Sequence, residues 1–166
     1  VLFRATGIAQ ATLKSRHEGV TPQQQDSAKR ASAEARLKVM GAAAESLSQI
    51  EQISPASLAY LGDAVYEVYV RAHYLLPPKR VSAYHQQVVA QVRAESQAKQ
   101  LQVLEPHLTD SEREILRRGR NATTGCPQRL SPEIYQQATS LETLIGYLFL
   151  RDPQRLTQLL APLELD

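Results

Sequence analysis

Serine or aspartate stands directly before proline at Ser54-Pro55, Ser131-Pro132 and Asp152-Pro153, and apolar residues then recur at steps of three and four. The pairing has a local meaning. The first side chain accepts a hydrogen bond from an orphaned N–H of the first helical turn, and proline at the first helical position loses no bond. The Ser54 start leads into Leu58, Leu61, Val65, Val68, Ala72 and Leu75 before Pro77-Pro78 halts it. The Ser131 start leads into Ile134, Ala138, Leu141, Leu144, Ile145 and Leu148, and the Asp152 start into Leu156, Leu159 and Leu160. These spacings predict helices. Thr109 with Glu112 forms a capping box for a further helix expected to end at Gly119. Ser82 is expected to cap another, carrying Val88, Val89, Val92, Ala98 and Leu101 up to Pro106. No segment alternates as a half-buried strand does, so the expected fold is an all-α helical bundle, with its longest loop from Gly119 to Leu130.

The bundle does not start at the first residue. Of nine aromatic residues only Phe3 precedes residue 53, and the stretch from Gln23 to Gln49 is rich in Gln, Ala and Ser. Met40, Ala43, Ala44, Leu47 and Ile50 could share one face of a weak helix, but burying mostly alanine offsets little ordering entropy. Residues 1–53 are therefore expected to be a partly helical or disordered extension, and residues 54–166 the folded domain. The formal charge of +2 resides in the extension, leaving the domain neutral, so a nucleic-acid partner must be argued from local clustering. No apolar run approaches the roughly 18 residues that span a bilayer, and no membrane association is expected. Cys126 is the sole cysteine and has no zinc-ligand spacing around it, which favours a reducing, cytoplasmic setting. An Arg-bearing start without early acids also permits an organelle transit peptide.

Three features carry possible chemistry. Gly62-Asp63 lies inside the first long helix, where glycine costs about 1 kcal/mol relative to alanine and marks close packing of another backbone. Asp63, Glu67 and Arg71 form one stripe, which would suit either a solvated charged face or an acid at the edge of the core in need of a cation. Glu142 is the sole charged residue between Ile134 and Leu150, a setting for a metal ligand or a buried partner. Mg²⁺ needs only one or two protein carboxylates when waters and phosphate oxygens complete its shell, and Asp63 with Glu142 would supply them. Finally, Ile115 to Pro132 holds four arginines and no acid. Arg117 and Arg118 suit a helix C-terminus, whereas Arg120 and Asn121 suit phosphates and 2′-hydroxyls of duplex RNA. Tyr60, Tyr66, Tyr69 and Tyr74 are expected to be core and interface aromatics.

The run Leu58-Ala59-Tyr60-Leu61-Gly62-Asp63-Ala64-Val65-Tyr66-Glu67-Val68-Tyr69-Val70-Arg71 resembles the signature helix of the ribonuclease III family, in particular its Mini-ribonuclease III branch. Arg118-Gly119-Arg120-Asn121-Ala122 and the helix containing Ala138-Thr139-Ser140-Leu141-Glu142 resemble that branch's other two motifs, in the same order. The likeness extends from about Ser54 to Leu160. It departs from the wider family at Ala56, Ala59 and Thr139, where further carboxylates stand, and at Thr123, where the branch commonly has lysine.

The resemblance implies an all-helical endonuclease domain without a separate double-stranded-RNA-binding domain, forming a homodimer around the signature helices. It implies Mg²⁺-dependent endoribonuclease cleavage of double-stranded RNA to 5′-phosphate and 3′-hydroxyl ends, with Asp63 and Glu142 as catalytic and metal-binding residues. Arg118, Arg120 and Asn121 would hold the RNA, with Arg71, Lys79 and His85 as further candidates. The implied role is maturation of precursor large-subunit (23S) ribosomal RNA in the bacterial cytoplasm, with chloroplasts the second setting. The alternative is a non-catalytic ribonuclease III-like module that binds RNA within a ribosomal assembly.

Overall fold

The structure, a computed structural model, describes residues 47–123, 125–126, 128, 130–163 and 165. Most of the expected extension, and Thr124 and Arg129 of the basic segment, lie outside the described residues. Helix α1 (Leu47–Gln52) is followed by α2 (Pro55–Tyr74), α3 (Val81–Val92), α4 (Ala94–Leu104), a 3₁₀ turn (Glu105–His107), α5 (Asp110–Ala122), α6 (Pro132–Arg151) and α7 (Pro153–Leu160). Among the described residues there is no strand, and the fold is all-α as expected.

The expected caps at Ser54, Thr109, Ser131 and Asp152 form as side-chain bonds to first-turn N–H groups. Ser54 Oγ accepts from Ser57 N at 3.1 Å, Ser131 Oγ from Ile134 N at 3.3 Å, and Asp152 Oδ1 from Arg155 N at 2.9 Å. The capping box closes both ways: Thr109 Oγ1 accepts from Glu112 N at 3.3 Å, and Thr109 N donates to Glu112 Oε2 at 2.8 Å. Ser82 is not a cap. Arg80 occupies that position for α3 and makes no side-chain bond there.

Helix α6 is the centre of the molecule, packed against α2, α4 and α5. Leu141, Leu144 and Ile145 are completely buried there, and α1 contributes the buried Ile50. Helices α2 and α6 cross backbone to backbone. A Cβ placed on Gly62 would lie 1.8 Å from the Glu142 carbonyl oxygen, and one on Gly146 would lie 2.0 Å from that of Leu58. The mid-helix glycine thus has the packing reason expected of it, and this crossing sets the residues after Gly62 beside those around Glu142.

Three local expectations differ from what forms. The predicted single helix from Ser82 to Pro106 is two, because Arg93 adopts an extended conformation (φ −70°, ψ 153°) that redirects the chain and lets α4 turn onto α6. The predicted end of α5 at Gly119 is instead an interior position, and the helix continues to Ala122. A Cβ on Gly119 would meet Thr143 Oγ1 at 2.5 Å, so this glycine serves close packing rather than a left-handed cap. The buried stripe of α2 is also rotated. Leu58, Val65, Tyr66, Val70 and Tyr74 are in the core, whereas Val68 and Leu75 are exposed. The helix is apolar on two faces, and periodicity does not say which of them meets α6.

Candidate active site

The α2–α6 crossing, closed at one side by the end of α5, leaves a cleft of about 310 Å³. Helix α2 lines it with Ala56, Ala59, Tyr60 and Asp63, and α6 with Tyr135, Thr139 and Glu142. Helix α5 adds Gly119, Ala122 and Thr123, and Thr123 Oγ1 donates to Gly119 O at 3.1 Å, finishing the helix. Asp63 and Glu142, 79 positions apart in sequence, therefore face one cavity. Ala56, Ala59, Thr139 and Thr123, the four positions that depart from the family pattern, line the same cavity.

No basic side chain lines this cleft among the described residues. Burial raises the pKa of Glu142 to about 7, the negative charge of Asp63 adds to that rise, and a hydrogen-bonding influence from Gln97 opposes it. Asp63, more exposed, is raised by partial burial and then by the neighbouring Glu67. Two acids that repel one another in a site without a cationic side chain form a setting whose free energy falls when a cation enters. Among the described residues no group of three or more His, Cys, Asp or Glu gathers for metal binding. Two carboxylates beside an open cleft nevertheless fit Mg²⁺, which keeps several waters and takes phosphate oxygens as ligands.

The expected RNA-binding residues fall in two places. Arg118, Arg120 and Asn121 are interleaved with the cleft-lining residues of α5, on the last turn of a helix rather than on a flexible loop. Arg120 and Asn121 are exposed and Arg118 is half-buried. Arg71 lies two turns beyond Asp63 on α2 and pairs with Glu67 at 2.5 Å. Lys79 donates to Gln87 Oε1 at 2.8 Å and sits 5.5 Å from the centre of the Tyr74 ring. His85 is exposed on α3. None of these last three lines the cleft.

Tyrosine placement divides. Tyr66 and Tyr74 are buried, Tyr69 is half-buried and donates to Leu160 O at 2.9 Å, and Tyr60 is 86% exposed at the rim of the cleft. Tyr135 opens the third of the family-like motifs, whereas Gln97 lies in none of them. A signal for Gln97 existed: it precedes Leu101 and Leu104 at helical spacing, a polar residue on an apolar stripe.

Comparison with known proteins adds a name to this geometry. Residues 56–153 match the ribonuclease III domain. The chain is 59% identical over 116 residues to a Mini-ribonuclease 3 of Synechocystis sp., an alignment that spans 70% of this chain and 81% of that protein. It is 43% identical over 118 residues to a Mini-ribonuclease 3 of Kosmotoga olearia, spanning 70% and 81%. A crystal structure of a Fusobacterium nucleatum protein superposes with a TM-score of 0.62 at 26% identity, covering 66% of this chain and 90% of that one. No helix among the described residues is long and apolar enough to cross a membrane. The domain match, the relatives and the shared fold together mean that the chain belongs to the ribonuclease III domain family, within its Mini-ribonuclease 3 branch, and is an endoribonuclease.

Proposed function

We propose that this endoribonuclease cleaves double-stranded RNA with Mg²⁺ as cofactor, and that Asp63 and Glu142 hold the ion. The observation that carries the reading is the pair itself: two carboxylates from separate helices in one cleft, with no basic side chain among its described lining. Bound Mg²⁺ would supply Lewis-acid polarisation of a phosphate oxygen and a water of lowered pKa. The chain's own contribution is to bring the two acids together across the Gly62–Gly146 crossing and to leave the cleft open to a backbone phosphate. Glu142 must lose its proton to serve as a ligand, so ion uptake is expected to weaken below about pH 7. Products would be 5′-phosphate and 3′-hydroxyl ends.

Arg118, Arg120 and Asn121 would track the duplex backbone beside the cleft, with Arg71, Lys79 and His85 as outlying contacts. The working unit would be a homodimer. Tyr60, Ala64 and Val68 on α2, with Leu75 at its C-cap, lie along one exposed face, an apolar stripe that a second copy would cover. Residues 54–166 would be the catalytic domain and residues 1–53 an extension, acting in the bacterial cytoplasm on precursor large-subunit (23S) ribosomal RNA.

The test is incubation of the protein with a short RNA duplex, with Mg²⁺ and with chelator. Cleavage that requires the ion supports the reading. Duplex binding without cleavage under both conditions overturns it.

A further inference from the structure

Behind the cleft, α4 presents a polar group that the fold alone does not explain. Gln97 is 1% exposed, on the stripe Gln97, Leu101 and Leu104, all buried in a helix that packs against α6. Its Nε2 makes no hydrogen bond among the described residues. A primary amide enclosed in this way has lost its water, and a buried donor left unmade is destabilising. A leucine at the same position would continue the apolar stripe without that cost. What glutamine offers is an unpartnered donor on a helix packed against the one that carries Glu142, and Gln97 is the neighbour whose influence opposes burial and the Asp63 charge at that carboxylate.

We propose that Gln97 is a positioning residue for Glu142. Once Glu142 is ionised and a cation is held, the Nε2–H that is unpartnered in this structure would close onto the carboxylate and hold it in one orientation beside Asp63. The terminal torsion of a glutamate is broad and weakly restrained by sterics, so without such a donor the carboxylate would sample many orientations. Fixing it removes an ordering cost from ion binding, the usual service of a group that supports a metal ligand from behind. This inference rests on the reading of Asp63 and Glu142 as the cation-holding pair.

The experiment titrates the full chain with Mn²⁺ alone, without RNA, following free ion by electron paramagnetic resonance, with melting temperatures measured in parallel. The parent should bind, while Asp63→Asn and Glu142→Gln should lose most of that binding. Gln97→Leu should weaken Mn²⁺ affinity by about tenfold or more while its melting temperature stays level or rises, because an unpartnered amide has been replaced by an apolar group of similar size. Gln97→Met, unbranched like glutamine, should repeat the result and guards against a leucine that does not fit. Cleavage by both variants should show a higher half-saturating Mg²⁺ with little change in KM for the duplex. If both variants bind Mn²⁺ as the parent does, or lose binding only because they melt, Gln97 is a structural residue and the proposal is overturned. If the parent itself fails to bind Mn²⁺, the metal reading falls first and the role of Gln97 with it.

Discussion

Glu112 and Glu142 are both glutamates turned toward the interior of one small helical bundle, and they are treated in opposite ways. Glu112 is 4% exposed and fully answered: Arg155 donates through Nε at 2.7 Å and Nη2 at 3.0 Å, and the Thr109 backbone N–H donates at 2.8 Å. Arg155 Nη2 also donates to His107 O at 2.7 Å, tying α7 to the turn before α5. These bonds, the one from Arg155 foremost, hold the Glu112 carboxyl below its usual range. Among the described residues Glu142 receives no guanidinium; it faces another acid, and its pKa is pushed up to about 7. An ion pair complete within the chain locks two helices together. An acid pair that no described cation answers would, on the proposed reading, keep its binding capacity for an ion that arrives from outside.

The largest contrast should appear in activity. Asp63→Asn and Glu142→Gln should each reduce single-turnover cleavage by about 10³-fold or more, since a properly held metal supplies several kcal/mol of charge stabilisation. Duplex affinity measured by gel shift should stay within about twofold of the parent. Unchanged turnover in Asp63→Asn would remove that residue from the chemistry. Glu112→Gln should leave cleavage per folded molecule intact.

Stability should reverse the order. Glu112→Gln strips the charge that balances Arg155 and weakens the capping box, a loss of about 3 kcal/mol and a fall in Tm of roughly 10 °C. Glu142→Gln, which removes a repelled charge, should not lower Tm at pH 7.5. A Glu112→Gln protein that melts with the parent would mean that the Arg155 pair contributes nothing net.

The two acids also predict opposite pH responses. The folded-state pKa of Glu142 lies above its unfolded value, so the stability it contributes is complete below about pH 4.5 and is lost as pH rises through about 7, an effect of up to about 3 kcal/mol. Glu112, with a depressed folded-state pKa, contributes stability above about pH 4.5 that is lost as pH falls through its folded value. Melting curves from pH 4 to 7.5 should therefore lose their decline between about 4.5 and 7 in Glu142→Gln and soften at the acid end in Glu112→Gln. Adding Mg²⁺ at pH 7.5 should raise the Tm of the parent but not that of Glu142→Gln. A parent whose Tm is flat between pH 4.5 and 7 would contradict the raised acid.

The smallest effect is expected at the far end of the helix that begins near Glu112. Arg120 is exposed on the last turn of α5 beside the cleft, so Arg120→Ala should weaken duplex binding severalfold and lower the salt slope by about 0.9. Its Tm should move by less than the equivalent of about 0.5 kcal/mol. An unaltered salt slope would place the duplex elsewhere.

Much of this molecule is legible residue by residue. Ser54, Thr109, Ser131 and Asp152 announce helix starts because a cap involves atoms only two or three residues away, and Gly62 inside a helix announces a close neighbour because glycine is otherwise unfavourable there. The isolation of Glu142 in an uncharged run marks it in the same local way. The break at Arg93 carries no proline or glycine, and the passage of α5 through Gly119 depends on Thr143 of another helix, so neither could be read locally. Nor could the partners of the two glutamates. That Arg155 answers Glu112, while Asp63 confronts Glu142 with Gln97 behind it, is decided where helices remote in sequence cross. Caps and periodicity arise from short-range bonding and one side chain's burial, whereas the charge state of an interior acid is set by whichever groups three-dimensional packing delivers to it.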